Sequence, residues 1–486
     1  MSTSVSRNIL WLTISRVFSL LLLAVAYSAL FRYLKPYGSG QYQFVLSYVL
    51  LFSTVVDFGV QQLITKKVSE DPKSTKTYFR EFFSFEVLAA FLLYTLLLII
   101  AYSRHFDPII FKSIAIAGLG MVANALCYPF MAVMAAFQDI KKVALINFLN
   151  SLVNVTVIFT AIFTHRSIVF LSCIQLAFGV LDLILYRIFI KKHLPKPEVL
   201  KAIFSFNFKV IKNILKQGWP FALLVGFSAI YNRIDVIIIS TLKGFVETGY
   251  YTAAYKIFDL LNFFPAAVSF TLFPYFASLM AKNDLKEVKF NLEKYLKLMI
   301  LAAVPLAAGG AVLSARLISL IAGPGYEPAS AVLAILIFAP AIQFIYIPVN
   351  SLIISQLTKK ALIITGVNVV VNILGNLLLI PHYGIKSAAV MTVFSECLQG
   401  IFYFYFINKN ITSFKFSNFF PLPIISAIVM AAVLWPIRTQ NLLITLPIGT
   451  LVYLAMLVLT GFLKKQDLLL LRNLFSKAEI KPAPNT

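Results

Sequence analysis

The sequence predicts an all-α integral membrane protein of about 14 transmembrane helices, grouped as six, six and two. Three observations predict it. Hydrophobic residues fill 60% of the 486 positions and charged residues only 13%, against roughly 25% charged in an average soluble domain. The apolar residues fall in runs long enough to cross a bilayer, which takes about 20 residues. The 42 Lys and Arg are concentrated in alternate connections between those runs. With a mean hydropathy of +0.87, a soluble globular protein is excluded. Disorder, collagen and coiled coil are excluded too, because 45 Phe and 22 Tyr sit among aliphatic runs.

The first run, near residues 8 to 31, begins after Arg7 and contains Ala24-Val25-Ala26, which resembles a cleavage site. Arg16 would fall inside the apolar core of a signal peptide, and the run continues to Phe31, so it is expected to stay as an uncleaved first helix. Five more runs follow, near 41–64, 82–103, 110–137, 143–164 and 167–190. A basic connection from Lys191 to Gln217 carries Pro195 and Pro197, then apolar and Lys positions at near-helical spacing, and is expected to lie in the cytoplasmic interface. Beyond it come runs near 218–242, 249–280, 295–322, 329–356, 361–380 and 386–408, and a last pair near 421–437 and 442–463. The predicted organisation is therefore 1–190, the linker 191–217, 218–408, and 409–486 with the tail.

Most of the Lys and Arg lie in connections on the side that holds both termini. By the positive-inside rule that side is cytoplasmic and the number of helices even. The net charge of +23 is then mainly topological, and a nucleic-acid partner is not expected. Cys127, Cys173 and Cys397 are dispersed through apolar runs, without a CxxC spacing or an adjacent His, so neither a disulfide framework nor a metal site is indicated. No cofactor motif is present: HExxH, the P-loop and GxSxG are all missing. The predicted outer connections are short and hold only Asp107, Glu247 and Glu327 as acids. An enzyme is therefore not expected.

The two halves carry a faint repeat. Tyr37-Gly38-Ser39-Gly40-Gln41-Tyr42 opens the second run, Val246-Glu247-Thr248-Gly249-Tyr250-Tyr251 opens the eighth, and Tyr383-Gly384-Ile385-Lys386-Ser387-Ala388-Ala389 opens the twelfth. Recurrence at corresponding points of two halves is a signature of transporters built from internal repeats. On these residues, and on the layout of six, six and two, the chain resembles the polysaccharide exporters, or Wzx-type oligosaccharide flippases, of the multidrug/oligosaccharidyl-lipid/polysaccharide superfamily. The resemblance implies a V-shaped pair of six-helix bundles around a central cavity. It also implies a function: alternating access that flips a polyprenyl-pyrophosphate-linked oligosaccharide across the bacterial inner membrane for O-antigen, capsule or exopolysaccharide synthesis. The implied partners are that substrate and the bilayer, with polysaccharide polymerase and chain-length machinery as candidates.

Ionisable residues inside the runs are the candidate functional residues, since each costs about 2.5–3.5 kcal/mol or more at a lipid-facing midplane position. Arg316 is close enough to the outer end of its run to snorkel, and Glu86, near the start of the third run, reads as an interfacial acid beside Arg80. Arg16 and Asp57 each lie seven residues from the cytoplasmic end of their run, hence roughly 10 Å deep. They either pair to lock the first two helices or leave Arg16 to meet the substrate's phosphates. Arg233 and Asp235 on the seventh helix, with Lys256 and Asp259 on the eighth, form the densest group. Arg16, Arg233 and Lys256 are thus the expected cationic contacts to a pyrophosphate. Asp57, Asp235 and Asp259 are the expected charge partners or ion-coupling groups. Asp182 and Glu396 have no partner visible in the sequence. Tyr231, Tyr251 and Tyr255 flank the basic group and are candidates to stack on sugars, while Pro220, Pro265 and Pro274 are candidate kinks. The competing functions are an ion-coupled multidrug or small-molecule transporter and, with less support, a membrane-embedded glycan polymerase or ligase.

Overall fold

Lipid offers no partner for an open backbone, so a chain this apolar folds into helices whose N–H and C=O groups bond internally. The computed structural model describes residues 2–194, 208–282, 284–412 and 419–462. The side chains of residues 2–17, most of the expected linker 191–217 and the tail from 463 lie outside what is described. Among the described residues every regular element is a helix: α1 (Ser2–Asp57), α2 (Val60–Glu70), α3 (Thr75–Ser103), α4 (Pro108–Ala125), α5 (Tyr128–Ala136), α6 (Ile140–Phe163), α7 (Ile168–Phe189), α8 (Phe208–Lys243), α9 (Phe245–Leu261), α10 (Phe263–Ala281), α11 (Leu285–Val312), α12 (Ser314–Ile321), α13 (Glu327–Leu336), α14 (Phe338–Gln356), α15 (Thr358–Tyr383), α16 (Ile385–Asn410), α17 (Pro421–Ile437) and α18 (Leu442–Leu459), with short 3₁₀ turns at Pro72–Ser74 and Ile190–Lys192.

Several expected runs appear as two helices in line, and proline accounts for three of the breaks. Pro129, Pro265 and Pro340 have no N–H to donate four residues back, and the chain is interrupted at Leu126–Cys127, at Asn262 and at Ile337, each just upstream of one of them. α1 is interrupted at Lys35 (φ 55°, ψ 176°) before Pro36, and its 56 residues at about 1.5 Å each far exceed the ~30 Å hydrocarbon core, so it comprises two crossings. A further break separates α1 from α2 at Phe58 (φ 40°) and Gly59 (φ 71°). Eleven helices among the described residues are long and apolar enough to span a membrane, the first of them covering both parts of α1. Pro421–Ile437 is apolar but shorter. The all-helical membrane fold is as expected; the count of fourteen remains an expectation. Leu378, Leu443 and Leu459 are 68%, 82% and 79% exposed, a liability in water and the ordinary state of a lipid-facing side chain.

Contacts divide the chain into two compact units at Gly249–Tyr250. In the first unit α4 packs closely along α7, α3 along α4, and α8 touches α2 and α3. Its core has one layer around Phe44, Tyr48 and Phe106 and a second around Phe79, Phe83 and Phe130. In the second unit α14 is central, packed against α10, α11 and α16, while α15 pairs with α16. The C-terminal helix α17 packs on α11 and carries α18 at its side. Between them is a largely apolar cavity of about 690 Å³, lined among others by Leu298, Pro305, Gly309, Met430, Gly449 and Tyr453.

Candidate functional site

The two glycine-containing turns singled out above meet in the first unit. A Cβ placed on Gly40 would stand 1.8 Å from the Phe245 carbonyl oxygen, and one on Gly249 would stand 2.0 Å from the Pro36 carbonyl oxygen. The contact is reciprocal and made of backbone, so neither segment can rotate a side chain away. Around it, Phe245 packs edge-on to Tyr37 at 6.0 Å and against Phe44 at 5.7 Å, and the Ser39 hydroxyl donates to the Pro36 carbonyl at 3.0 Å. The third echo has a different cause. Gly384 has open space where a Cβ would go, and its φ of 67° is what requires glycine there.

The expected charge group is divided by the unit boundary. Arg233 and Asp235 lie on α8 in the first unit, and Lys256 and Asp259 on α9 in the second. Two residues apart on a helix means about 200° around its axis, and the burial follows: Asp235 is 2% exposed, whereas Arg233 is half-buried. Lys256 and Asp259, three apart, share a face and are both half-buried. None of these four is without a partner, nor are Tyr231, Tyr251 and Tyr255. Tyr255 packs between Tyr251 at 5.7 Å and Phe258 at 4.7 Å. The side chain of Arg16 lies outside the described residues. Asp57 ends α1, is 7% exposed, and its Oδ1 accepts the Gln61 N–H at 3.2 Å across the Phe58–Gly59 break.

Several polar residues not assigned a role from the sequence emerge as buried. Glu86 is buried: α3 begins at Thr75, three turns before it, and Glu86 is 0% exposed. Arg80 exerts its charge on Glu81 instead. Asp182 has a partner on α6, the Asn150 amide at 2.8 Å. In the second unit a polar seam runs between α14, α15 and α16. Glu396 accepts from Gln343 Nε2 at 2.8 Å and from the Tyr346 hydroxyl, and Asn368 donates to Gln399 at 2.8 Å. Gln399 donates to the Tyr403 hydroxyl at 3.1 Å, Asn372 to Ser395 at 3.2 Å, and Asn376 to Asn372 at 3.1 Å. The sequence does carry a signal for this seam: Asn368, Asn372 and Asn376 recur every four residues, a polar stripe on one face of an otherwise apolar helix.

Outside the membrane-spanning segments, Asp139 stands at the N-cap position of α6, its side chain turned to other partners. Burial works against its charge, but hydrogen bonds from Lys142 Nζ at 2.9 Å and from His193 Nε2 at 3.2 Å hold its carboxyl below the ordinary aspartate value. The His193 ring stacks on Phe137 at 4.1 Å. Among the described residues no group of three or more His, Cys, Asp or Glu is placed to hold a metal ion.

Comparison with known proteins gives a concordant picture. The sequence profile of the polysaccharide biosynthesis protein family matches residues 5–280. Over 276 residues the chain is 26% identical to the probable low-salt glycan biosynthesis flippase Agl15 of Haloferax volcanii, covering 56% of each chain. It is 24% identical over 235 residues to the probable flippase AglR of the same organism, covering 48% of each. An uncharacterized membrane protein of Methanocaldococcus jannaschii is 29% identical over 257 residues, covering 52% of this chain and 50% of that protein. The chain thus matches about half the length of these relatives. Its fold matches the lipid II flippase MurJ in an inward closed conformation, with a TM-score of 0.73, 18% identity, and coverage of 92% of this chain and 98% of that one. It also matches an inward-facing multidrug resistance MATE transporter of the MOP superfamily at a TM-score of 0.63 and 13% identity, covering 82% and 98%.

Proposed function

The chain belongs to the polysaccharide biosynthesis protein family, and from that premise we propose that it is a flippase: it carries a lipid-linked oligosaccharide across a cell membrane by alternating access and supplies cell-surface glycan synthesis. The observation that carries this reading is the match, over about half of the chain, to one probable glycan biosynthesis flippase and one probable flippase, joined to a MurJ-like fold over nearly the whole chain. Those two flippases are archaeal, so the proposal names a cell membrane rather than a bacterial inner membrane in particular.

In this reading the cytoplasmic side holds both termini, and the expected bundles of six, six and two enclose the substrate path. A polyprenyl pyrophosphate brings several negative charges into a medium that penalises them. Arg16, Arg233 and Lys256 offset that penalty, the Arg residues through paired donors and the Lys as a mobile point charge. Asp57, Asp235 and Asp259 balance these cations when no substrate is present. The apolar cavity of about 690 Å³ beside α17 and α18 is of a size and chemistry to take hydrocarbon chain. The translocation reaction makes and breaks no covalent bond, so the protein acts as a transporter rather than an enzyme. Polymerase and chain-length proteins are the partners such a transporter would feed.

The likeness to MATE transporters favours a second reading, ion-coupled efflux of small molecules. Expression in a strain deleted for its own glycan flippase separates the two. Restored surface glycan with unchanged drug tolerance supports glycan export, whereas raised drug tolerance without surface glycan overturns it.

A further inference from the structure

The end of the first unit at which Lys35 breaks α1 gathers four connections. The Tyr33 hydroxyl donates to the Arg166 carbonyl at 2.9 Å, and its ring lies 6.4 Å from that of His165, which ties α1 to the turn between α6 and α7. Phe106, between α3 and α4, packs edge-on to Phe44 at 5.3 Å, and Phe245, after α8, packs edge-on to Tyr37 at 6.0 Å. α4 and α7 run parallel in close contact: a Cβ on Gly120 would stand 2.4 Å from the Gln175 carbonyl carbon, and one on Gly179 would stand 2.4 Å from the Ala123 Cβ. Lys112 and Ser167 each lie eight residues before the first of these contacts, so Lys112 stands at the height of Arg166.

Arg32, Lys35, Arg104, Lys112, Arg166 and Lys243 are all exposed at this end, against the acids Asp107 and Glu247. Asp107 is already engaged, since its Oδ1 accepts the Ile109 N–H at 2.8 Å and caps α4. The helix dipole rewards Arg104 and Lys243 at the C-terminal ends of α3 and α8, but it gives no such reward to Lys112 in the second turn of α4. In the orientation proposed above this end faces outward, where topology depletes basic residues, so the positive-inside rule does not account for them either. Large apolar and aromatic side chains share the level: Tyr37, Tyr102 and Phe163 are 56%, 74% and 78% exposed. Exposed aromatic side chains with basic neighbours are the pattern of a helix end set among lipid headgroups.

We propose that this basic rim is a binding surface for the phosphates of anionic membrane lipids. The Arg residues offer paired donors to a phosphate and the Lys residues a point charge. A zwitterionic lipid carries its own cation beside the phosphate, which the rim repels, so the surface selects lipids of net negative charge. The exposed Tyr102 and Phe163 favour a lipid over an acidic protein segment, because their rings take the apolar region just below the headgroups. The surface is distinct from Arg16, Arg233 and Lys256 and does not depend on which substrate is carried.

The test is photo-crosslinking of the full chain in bilayers with a sub-saturating phosphatidylglycerol that carries a diazirine near its headgroup, beside a phosphatidylcholine of the same design. Labelled peptides are mapped by mass spectrometry. Phosphatidylglycerol is expected to label the segments 102–112 and 163–170 of wild type well above phosphatidylcholine. A Lys or Arg beside an anionic surface is worth about fivefold in binding, so the triple variant Lys35→Gln, Lys112→Gln, Arg166→Gln should lose at least about tenfold of that labelling. Labelling near Lys66 and Lys73, at the other end of the unit, should stay unchanged, and the melting temperature records that the fold persists. Should the triple variant fail to fold, wild type in about 1 M salt, where the Debye length falls to ~3 Å, should lose the same preference. Equal labelling by the two lipids in wild type overturns the proposal, as does undiminished phosphatidylglycerol labelling in the folded variant or in high salt. Displacement of the lipid label by an acidic protein in native membranes would overturn it in favour of a protein partner.

Discussion

Alanine at Gly40 or Gly249 has a calculable effect. The new Cβ of Gly40→Ala would lie 1.8 Å from the Phe245 oxygen, and contacts below 3.0 Å are essentially never seen, so the two backbones must separate by about 1.2 Å. For Gly249→Ala the Pro36 oxygen is 2.0 Å away, and the separation needed is about 1.0 Å. Overpacking of this kind costs about 1–3 kcal/mol, and here no rotamer change relieves it. The two substitutions strain one contact between residues 36–40 and 245–249, so whichever comes first opens it for the other. Thermal unfolding of the two single variants and the double variant in detergent measures this. Each single variant should be clearly less stable than wild type, while the double should lose much less than their sum. Gly384→Ala serves as a control: with open space around it, only the backbone conformation (φ 67°, ψ −157°) opposes the substitution, at about 1–3 kcal/mol, and its effect should add to either of the others. Unchanged stability in Gly40→Ala, or strictly additive losses in the double variant, would refute the reasoning.

Tyr346→Phe removes a donor from buried Glu396 and should cost about 1–3 kcal/mol in the same unfolding assay, with Glu396→Gln recovering part of the loss when combined with it. Tyr453 presents a buried hydroxyl with no hydrogen-bond partner among the described residues, beside the apolar cavity, so Tyr453→Phe should be neutral or stabilising. Asp139 titrates below its ordinary value in the folded chain, so its contribution is complete above about pH 3.9 and is lost as the pH falls through the folded value. The stability gap between wild type and Asp139→Asn should therefore be constant near neutral pH and close in acid, as followed by melting temperature against pH.

Much of this molecule was legible in the sequence because the bilayer imposes a length and an apolar composition on every crossing. The runs near 386–408 and 421–437 correspond closely to α16 and α17. Proline marked the interruption at Asn262 through Pro265 for a local steric reason, whereas the joint at Phe58–Gly59 has no such signal. Burial within the helix bundle was the weak point. Helices extend beyond their apolar runs, as α3 does from Thr75, and a count from the edge of a run does not report what packs around a residue, so the burial of Glu86 was not legible. The turn glycines were visible as a repeat, but the contact of Gly40 with Phe245 joins positions far apart in sequence, which no periodicity reports. The asparagine stripe of α15 was present in the sequence and marks the seam of the second unit.

The proposed function rests on intramembrane cations that receive an anionic glycolipid. Its most direct measurement is flipping of a fluorescent polyprenyl-pyrophosphate oligosaccharide in proteoliposomes containing wild type, Arg233→Gln or Lys256→Gln. Both variants should keep normal yield and melting temperature, with flipping reduced at least tenfold, the effect of losing about 1.4 kcal/mol of substrate stabilisation. Flipping at the wild-type rate in folded variants would contradict it.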